Sequence, residues 1–381
     1  MIEQFKINVE DPVLADLSER LRRTRWPGEI EGAGWEYGSS LGYVRELCHY
    51  WQTDFDWRAQ ERRLNQYPQF LAEIDGLKIH FVHVRGKGPN PKPLVLTHGW
   101  PSTFVELEKV ITPLADPAAV GADPSASFDV VVPSLPGYGF SDQPRRPGMD
   151  PFRIAAIWRR LMTEVLGYER FLAHGGDWGA MVSTALGRDH ADVVEGLHLH
   201  FLAAAGEFPG LDESSLSSDE RRFLAGRTRW QAQEGAYSHQ HGTRPQSLGY
   251  GLTDSPAGLA GWIVEKWRAW SDCGGDIESR FSKDELLTHL TIYWATNTIA
   301  SSIRLYYERQ QAPPLLDPAR PIAVPTAFAR FPVEISHPPR EWVGRFFDLV
   351  RYTEMPRGGH FAASEEPELL AADIREAFFG D

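Results

Sequence analysis

Cysteine is scarce in this chain: Cys48 and Cys273 are the only two among 381 residues. That excludes the disulfide framework of a small secreted scaffold and leaves at most one bridge. Long apolar runs are also lacking, and none approaches the ~18 residues of a membrane-spanning helix. Positive charge is in deficit, with 39 Lys and Arg against 52 Asp and Glu and a net charge of −13. Such a surface argues against nucleic acid or an anionic membrane as partner. Residues 1–12 are polar and lack the apolar core of a signal peptide, so a cytoplasmic protein is expected. There is no internal repeat and no low-complexity tract. What remains is globular: 42% hydrophobic, 24% charged, with 13 Trp, 12 Tyr and 20 Phe. The length suffices for one large core plus an inserted or appended subdomain.

The chain divides by rhythm. Residues 1–90 form an extension rich in charge and Trp, with the first strands. Residues 16–23 have helical spacing, closed by Trp26-Pro27. FLAEI-DG-LKIHFVHV (70–84) alternates about Gly76 as a hairpin does. From residue 91 to 202 short apolar runs alternate with amphipathic stretches. PLVLTHGWP and FDVVVPSLPGYG read as buried strands, residues 154–166 as a helix, RFLAHGGDWGAMVSTALGRDH as strand, turn, helix, and VVEGLHLHF as a strand. This pattern implies a mostly parallel sheet covered on both faces. Residues 203–315 break it with helical, aromatic sequence and no clear strand, as an inserted cap would. Alternation resumes over 316–381, ending in a helix at 367–379.

The chemistry centres on Gly175-Gly176-Asp177-Trp178-Gly179, which has the spacing of the G-x-S-x-G nucleophile elbow with Asp in place of Ser. Its glycines permit a sharp strand-to-helix turn that lifts the central side chain, and the helix N-terminus favours negative charge there. A surface turn capped by Asp is the bland reading of these five residues; a preceding strand and a following helix favour the elbow. A literal match, Gly38-Ser39-Ser40-Leu41-Gly42, has no strand before it and reads as a loop. An Asp nucleophile suits displacement at an activated sp³ carbon and leaves an alkyl ester on the enzyme. Water must then attack the carbonyl of that ester, so an oxyanion site serves the second step.

His98-Gly99-Trp100-Pro101 follows the first parallel strand, where this fold places one oxyanion donor. The backbone N–H groups of Trp100 and Trp178 are the candidates; Pro101 has none to offer. His98 is expected to order the loop. His360, in RGGHF after the last strand, has the chain position of a general base. Its orienting acid must lie between cap and base, where Asp317, Glu334, Glu341, Asp348 and Glu354 are available. Glu334 directly follows a strand, whereas Glu341, Asp348 and Glu354 read as helix surface or strand edge. His198 and His200 lie two apart on a strand without further metal-ligand spacing, and read as packing or hydrogen-bonding residues.

HGWPST (98–103), GGDWGA (175–180), YWATNTIASSIRLYYE (293–308), FPVEISHPP (331–339) and RGGHFAASEEPELLA (357–371) together resemble the microsomal-type epoxide hydrolases. GLTDSPAGLAGWIVEKW (251–267) resembles their cap, and DWRAQERRLNQYPQF (56–70) their N-terminal extension. The hydrophobic anchor of the membrane-bound members is not seen. The resemblance implies an α/β-hydrolase fold with an inserted helical cap, and opening of an epoxide by water to a vicinal diol. It implies Asp177 as nucleophile, Glu334 as acid, His360 as base, and two cap tyrosines, Tyr306 and Tyr237, that hydrogen-bond the epoxide oxygen. Tyr307 is the neighbour to be distinguished from Tyr306. No metal or organic cofactor is implied.

Two rival readings share this frame. A haloalkane or haloacid dehalogenase uses the same Asp nucleophile with a halide cradle in place of the tyrosine pair. A non-catalytic ligand-binding protein uses the fold alone. The aromatic-rich cap and extension suit an apolar or aromatic epoxide, and equally suit ordinary packing. A homodimer is compatible with the sequence and is not derivable from it.

Overall fold

The computed structural model describes residues 2–202, 208 and 211–380. Among them nine strands form one sheet: β1 (Ile2–Phe5), β2 (Gln69–Ile74), β3 (Leu77–Val84), β4 (Lys92–Thr97), β5 (Phe128–Pro133), β6 (Phe171–Gly175), β7 (Val194–Leu199), β8 (Ile322–Arg330) and β9 (Phe347–Glu354). Their spatial order is β1-β2-β3-β5-β4-β6-β7-β8-β9. The first three are antiparallel, β3 joins β5 antiparallel, and every pairing from β5 to β9 is parallel. The chain lays β5 on one side of β4 and β6 on the other, which makes the C-terminal end of β4 a topological switch point.

The parallel strands are buried on both sides, so their sequences read as unbroken apolar runs. Val95, Val131, Ala173 and Leu197 face one core cluster, while their neighbours Leu94, Leu96, Val130, Val132 and Leu172 face the other. That is the period-two geometry of a strand with a helix layer on each face.

Three helices precede the hairpin: α1 (Asp11–Arg22), α2 (Leu41–Thr53) and α3 (Trp57–Leu64). Within the parallel part lie α4 (Glu108–Ala115), α5 (Pro151–Arg160) and α6 (Asp177–Asp189). Between β7 and β8 come α7 (Ser218–Glu234), α8 (Ala236–Thr243), α9 (Pro245–Asp254), α10 (Pro256–Trp270), α11 (Lys283–Thr296) and α12 (Ile299–Gln311). The chain closes with α13 (Arg340–Gly344), α14 (Ala362–Glu365) and α15 (Pro367–Phe379). Capping boxes open α7 (Ser217 with Glu220) and α11 (Ser282 with Glu285). Among the described residues no helix is long and apolar enough to cross a membrane.

Several expectations change in detail. The helix read over 16–23 starts earlier, as α1, because Pro12 fits the first turn, where its missing N–H costs nothing. The stretch 154–166 splits into α5, whose N-terminus Asp150 caps by accepting from the Arg153 N–H at 2.9 Å, and a wider turn over Leu161–Val165. Gly38–Gly42 is only half loop: Ser40 precedes α2 and Leu41 begins it. Strand β1 was not legible, since its largely exposed IEQF carries no alternation and is held by pairing to β2. The hairpin forms as expected, with Asp75 and Gly76 both at positive φ. The helical block between β7 and β8 contains no strand among the described residues; its expected first residues, 203–207, lie outside them.

The helices before the hairpin brace the helical block between β7 and β8. Trp51 of α2 donates from its indole to Thr291 Oγ1 of α11 at 2.9 Å, and Arg20 of α1 pairs with Asp254 at the end of α9.

Candidate active site

The candidate oxyanion loop, nucleophile, acid and base each lie beyond the C-terminal end of a parallel strand. Trp100 follows β4, Asp177 follows β6, Glu334 follows β8 and His360 follows β9. Open α/β sheets gather ligands at this edge, beside the switch point.

The turn from β6 into α6 holds Asp177 at φ +44°, a left-handed conformation that costs a non-glycine residue roughly 1–2 kcal/mol. Close packing on all sides enforces it. A Cβ on Gly179 would overlap the Thr97 carbonyl, and one on Gly99 would overlap the Asp177 carboxylate. Asp177 Oδ1 accepts from the Trp100 N–H at 2.8 Å. The Trp178 N–H sits in the first turn of α6, where a helix leaves its amides without an intrahelical acceptor.

His360 Nε2 lies 3.5 Å from Asp177 Oδ2, and its Nδ1 lies 2.6 Å from Glu334 Oε1. Glu334 is 2% exposed, and its Oε1 also accepts from the Ile335 N–H at 2.6 Å. The His360 amide donates to the Trp270 carbonyl at 2.9 Å, so the end of α10 clamps the histidine loop. Burial opposes charge on the His360 ring, but the Glu334 and Asp177 carboxylates outweigh it and hold its pKa well above the ordinary range.

None of the other acids read from the sequence hydrogen-bonds His360, although Glu341 and Glu354 border the same cavity. Glu341, Asp348 and Glu354 are exposed, and Asp317 accepts from the Ala319 amide in its own turn. His198 hydrogen-bonds His174 and Asp373 within the core, and His200 packs beneath Gly176. Among the described residues no group of His, Cys, Asp and Glu is placed to hold a metal ion.

Tyr237 of α8 and Tyr306 of α12 line the same cavity as Asp177, with ring centroids 5.9 Å apart. Tyr237 stacks on Trp100 at 5.4 Å, and Tyr306 meets Trp178 edge-on at 4.6 Å. Tyr307 is 40% exposed and takes no part. Burial above all, and then the nearby Asp177 charge, raise the Tyr237 pKa. Burial does the same for Tyr306, followed by Tyr237 and Asp177. Both phenols therefore stay protonated and can donate. The cavity has a volume of about 1360 Å³ and includes Met181, Phe201, Phe223 and Trp230 in its wall.

Some neighbours escaped the sequence reading. His241 of α8 packs edge-on to Trp100 and Tyr306 at 4.7 and 4.8 Å, and Lys266 sits over the Tyr237 ring at 4.9 Å. Neither has a motif of its own; only the folded cap brings them to the site. Glu106 lies four residues after Ser102, a spacing that could have signalled their contact.

Sheet order, elbow and inserted helices together define an α/β-hydrolase-fold enzyme. Residues 2–107 match the family described as epoxide hydrolase N terminus, and residues 92–246 the alpha/beta hydrolase fold. The chain is 38% identical to epoxide hydrolase 1 of Oryctolagus cuniculus, over 98% of its own length and 88% of the relative's. Among solved structures, it is similar to juvenile hormone epoxide hydrolase of the silkworm Bombyx mori, with a TM-score of 0.89, 30% identity, and 99% and 94% of the two chains covered. The Aspergillus niger epoxide hydrolase matches with a TM-score of 0.86, 30% identity, and 99% and 96% coverage. The chain belongs to the epoxide hydrolase family, and is a hydrolase by that membership.

Proposed function

We propose that this enzyme opens an epoxide in two covalent steps, with Asp177 as nucleophile and His360 as base. The observation that carries the reading is the division of labour on one carboxylate. Oδ1 is held by the Trp100 N–H at 2.8 Å, and Oδ2 is directed to His360 Nε2 at 3.5 Å. In the first step Asp177 Oδ2 attacks a ring carbon and the C–O bond on its far side breaks. Tyr237 or Tyr306 transfers its phenol proton to the departing oxygen, giving a hydroxyalkyl ester and a tyrosinate. In the second step His360, oriented by Glu334, takes a proton from water as hydroxide adds to the ester carbonyl carbon. Negative charge collects on Oδ1, where the Trp100 N–H already points, with the Trp178 N–H as second donor; loss of one such donor typically costs ~10²–10³ in rate. Collapse expels the diol oxygen, which takes the proton from His360. The proton on the new Asp177 acid returns to the tyrosinate.

The aromatic and aliphatic part of the cavity wall supports an apolar or aromatic epoxide as substrate. The two phenols facing Asp177 favour an epoxide oxygen over a halide as leaving group. A single turnover of styrene oxide in ¹⁸O-labelled water tests the scheme. The first diol released should carry unlabelled oxygen from Asp177, and the label should appear in the aspartate. Label in the first diol would mean direct attack by water. Chloride release from haloalkanes without diol formation from epoxides would favour the dehalogenase reading.

A further inference from the structure

The Gly99 carbonyl and the Trp100 N–H are two ends of one peptide unit. The N–H donates to Asp177 Oδ1. The carbonyl accepts at 3.1 Å from His98 Nδ1 and at 3.0 Å from the Ser102 hydroxyl. The His98 tautomer follows from its other nitrogen, Nε2, which accepts from the Leu135 N–H at 3.2 Å and so leaves the proton on Nδ1. Burial keeps that ring neutral, with a pKa pushed down to about 4.

Ser102 has a second neighbour, the Glu106 carboxyl. One hydroxyl carries one proton and cannot donate to both Gly99 and a carboxylate. The conflict disappears when Glu106 is a neutral acid: its O–H donates to Ser102 Oγ, and the Ser102 proton is free for the Gly99 carbonyl. Glu106 is 7% exposed. Burial, opposed by Ser102 and His360 and aided by Asp177 and Glu334, pushes its carboxyl up to about 7. Both residues are anchored. The Tyr293 hydroxyl donates to the Ser102 carbonyl at 2.8 Å, and the Ser364 hydroxyl to the Glu106 carbonyl at 3.1 Å.

We propose that Glu106 is a positioning residue for ester hydrolysis: through Ser102 it aligns and polarises the Gly99–Trp100 peptide whose N–H faces Asp177. Hydrogen bonds accepted by a peptide carbonyl strengthen the donor at its other end. The effect falls on the step that develops charge at Oδ1. This rests on the reading of Trp100 as oxyanion donor.

The test follows ester formation and ester hydrolysis separately, in single turnovers of styrene oxide read by quenched mass spectrometry. In Glu106→Ala hydrolysis should slow about tenfold, a fraction of the loss of a whole donor, while ester formation stays within about twofold. Glu106→Gln should restore hydrolysis, because its amide N–H donates to Ser102 as the neutral acid does. Ser102→Ala should slow hydrolysis as Glu106→Ala does, and the double variant no further, since both break one chain. If Glu106→Ala does not fold, Glu106→Met, which fills the space without a donor, makes the same comparison with Glu106→Gln. The proposal is overturned if Glu106→Gln is as slow as Glu106→Ala, if both steps slow equally, or if the two losses multiply. His360→Gln separates the underlying scheme. If it accumulates ester while Glu106→Ala hydrolyses normally, only the role of Glu106 is wrong. If it accumulates none, the covalent scheme itself fails.

Discussion

A single hydrogen bond of 2.8 Å joins the Trp100 amide to Asp177 Oδ1, between two loops that leave adjacent strands of the sheet, β4 and β6. The switch point brings these loops together, and Gly99 allows the approach, because a side chain there would occupy the space of the Asp177 carboxylate. In the proposed scheme the same contact orients the carboxylate before reaction and faces the oxygen that gains charge afterwards.

Gly99→Ala should therefore displace Asp177 while leaving the rest of the sheet intact. A misplacement of about 1 Å can cost roughly 10² in rate. The expected outcome is loss of ester formation on that scale, measured in single turnovers, with the circular dichroism of the native protein. Normal ester formation would contradict the role given to this contact.

The two phenols should act on the first step alone. Tyr306→Phe and Tyr237→Phe are each expected to slow ester formation by about 10²–10⁴, the usual range for a positioned acid, and to leave hydrolysis of preformed ester unchanged. Tyr307→Phe, on the exposed side of α12, should match the wild type. Stopped-flow quenching of the aromatic cluster around Trp100 and Trp178 is a direct way to follow the step.

The pH dependence should differ between the steps. In the free enzyme the Glu334 and Asp177 carboxylates hold the His360 pKa high against burial. Ester formation needs Asp177 ionised and makes no demand for a neutral histidine, so it should proceed below that pKa. Esterification removes the Asp177 charge, which leaves burial less opposed and lowers the His360 pKa just when a base is required. Hydrolysis needs the neutral ring. Its rate should rise as pH rises through the ester-state pKa, with ester accumulating on the acidic side, and then fall by no more than the Glu106→Ala loss where Glu106 ionises, above about 7. A hydrolysis rate that is highest at the acidic end and falls throughout with rising pH would contradict the assignment.

How much of this was legible depended on what each residue does locally. The elbow, the β4 loop and the His360 loop follow strand ends, and strand runs such as LVLT and VVVP announce themselves by continuous burial. Asp177, Trp100 and His360 could thus be placed from motif and chain order. Glu334 was one of five acids; the fold distinguishes it by burying it against His360 Nδ1. Tyr237 and Tyr306 carry no local signature, because an amphipathic cap helix uses tyrosine for packing just as readily. Strand β1 was missed because an exposed edge strand needs no hydrophobic face. Glu106 was missed because a buried acid in STFVEL looks like any polar residue of an amphipathic turn.

The most direct test of the covalent scheme is the intact mass of His360→Gln after exposure to styrene oxide. Without its base the enzyme should form the ester and be unable to release it. The protein should gain the mass of one styrene oxide, located on the peptide that contains Asp177, and Asp177→Asn should gain nothing. Continued diol formation by His360→Gln with no added mass, or an adduct on any other residue, would contradict the scheme.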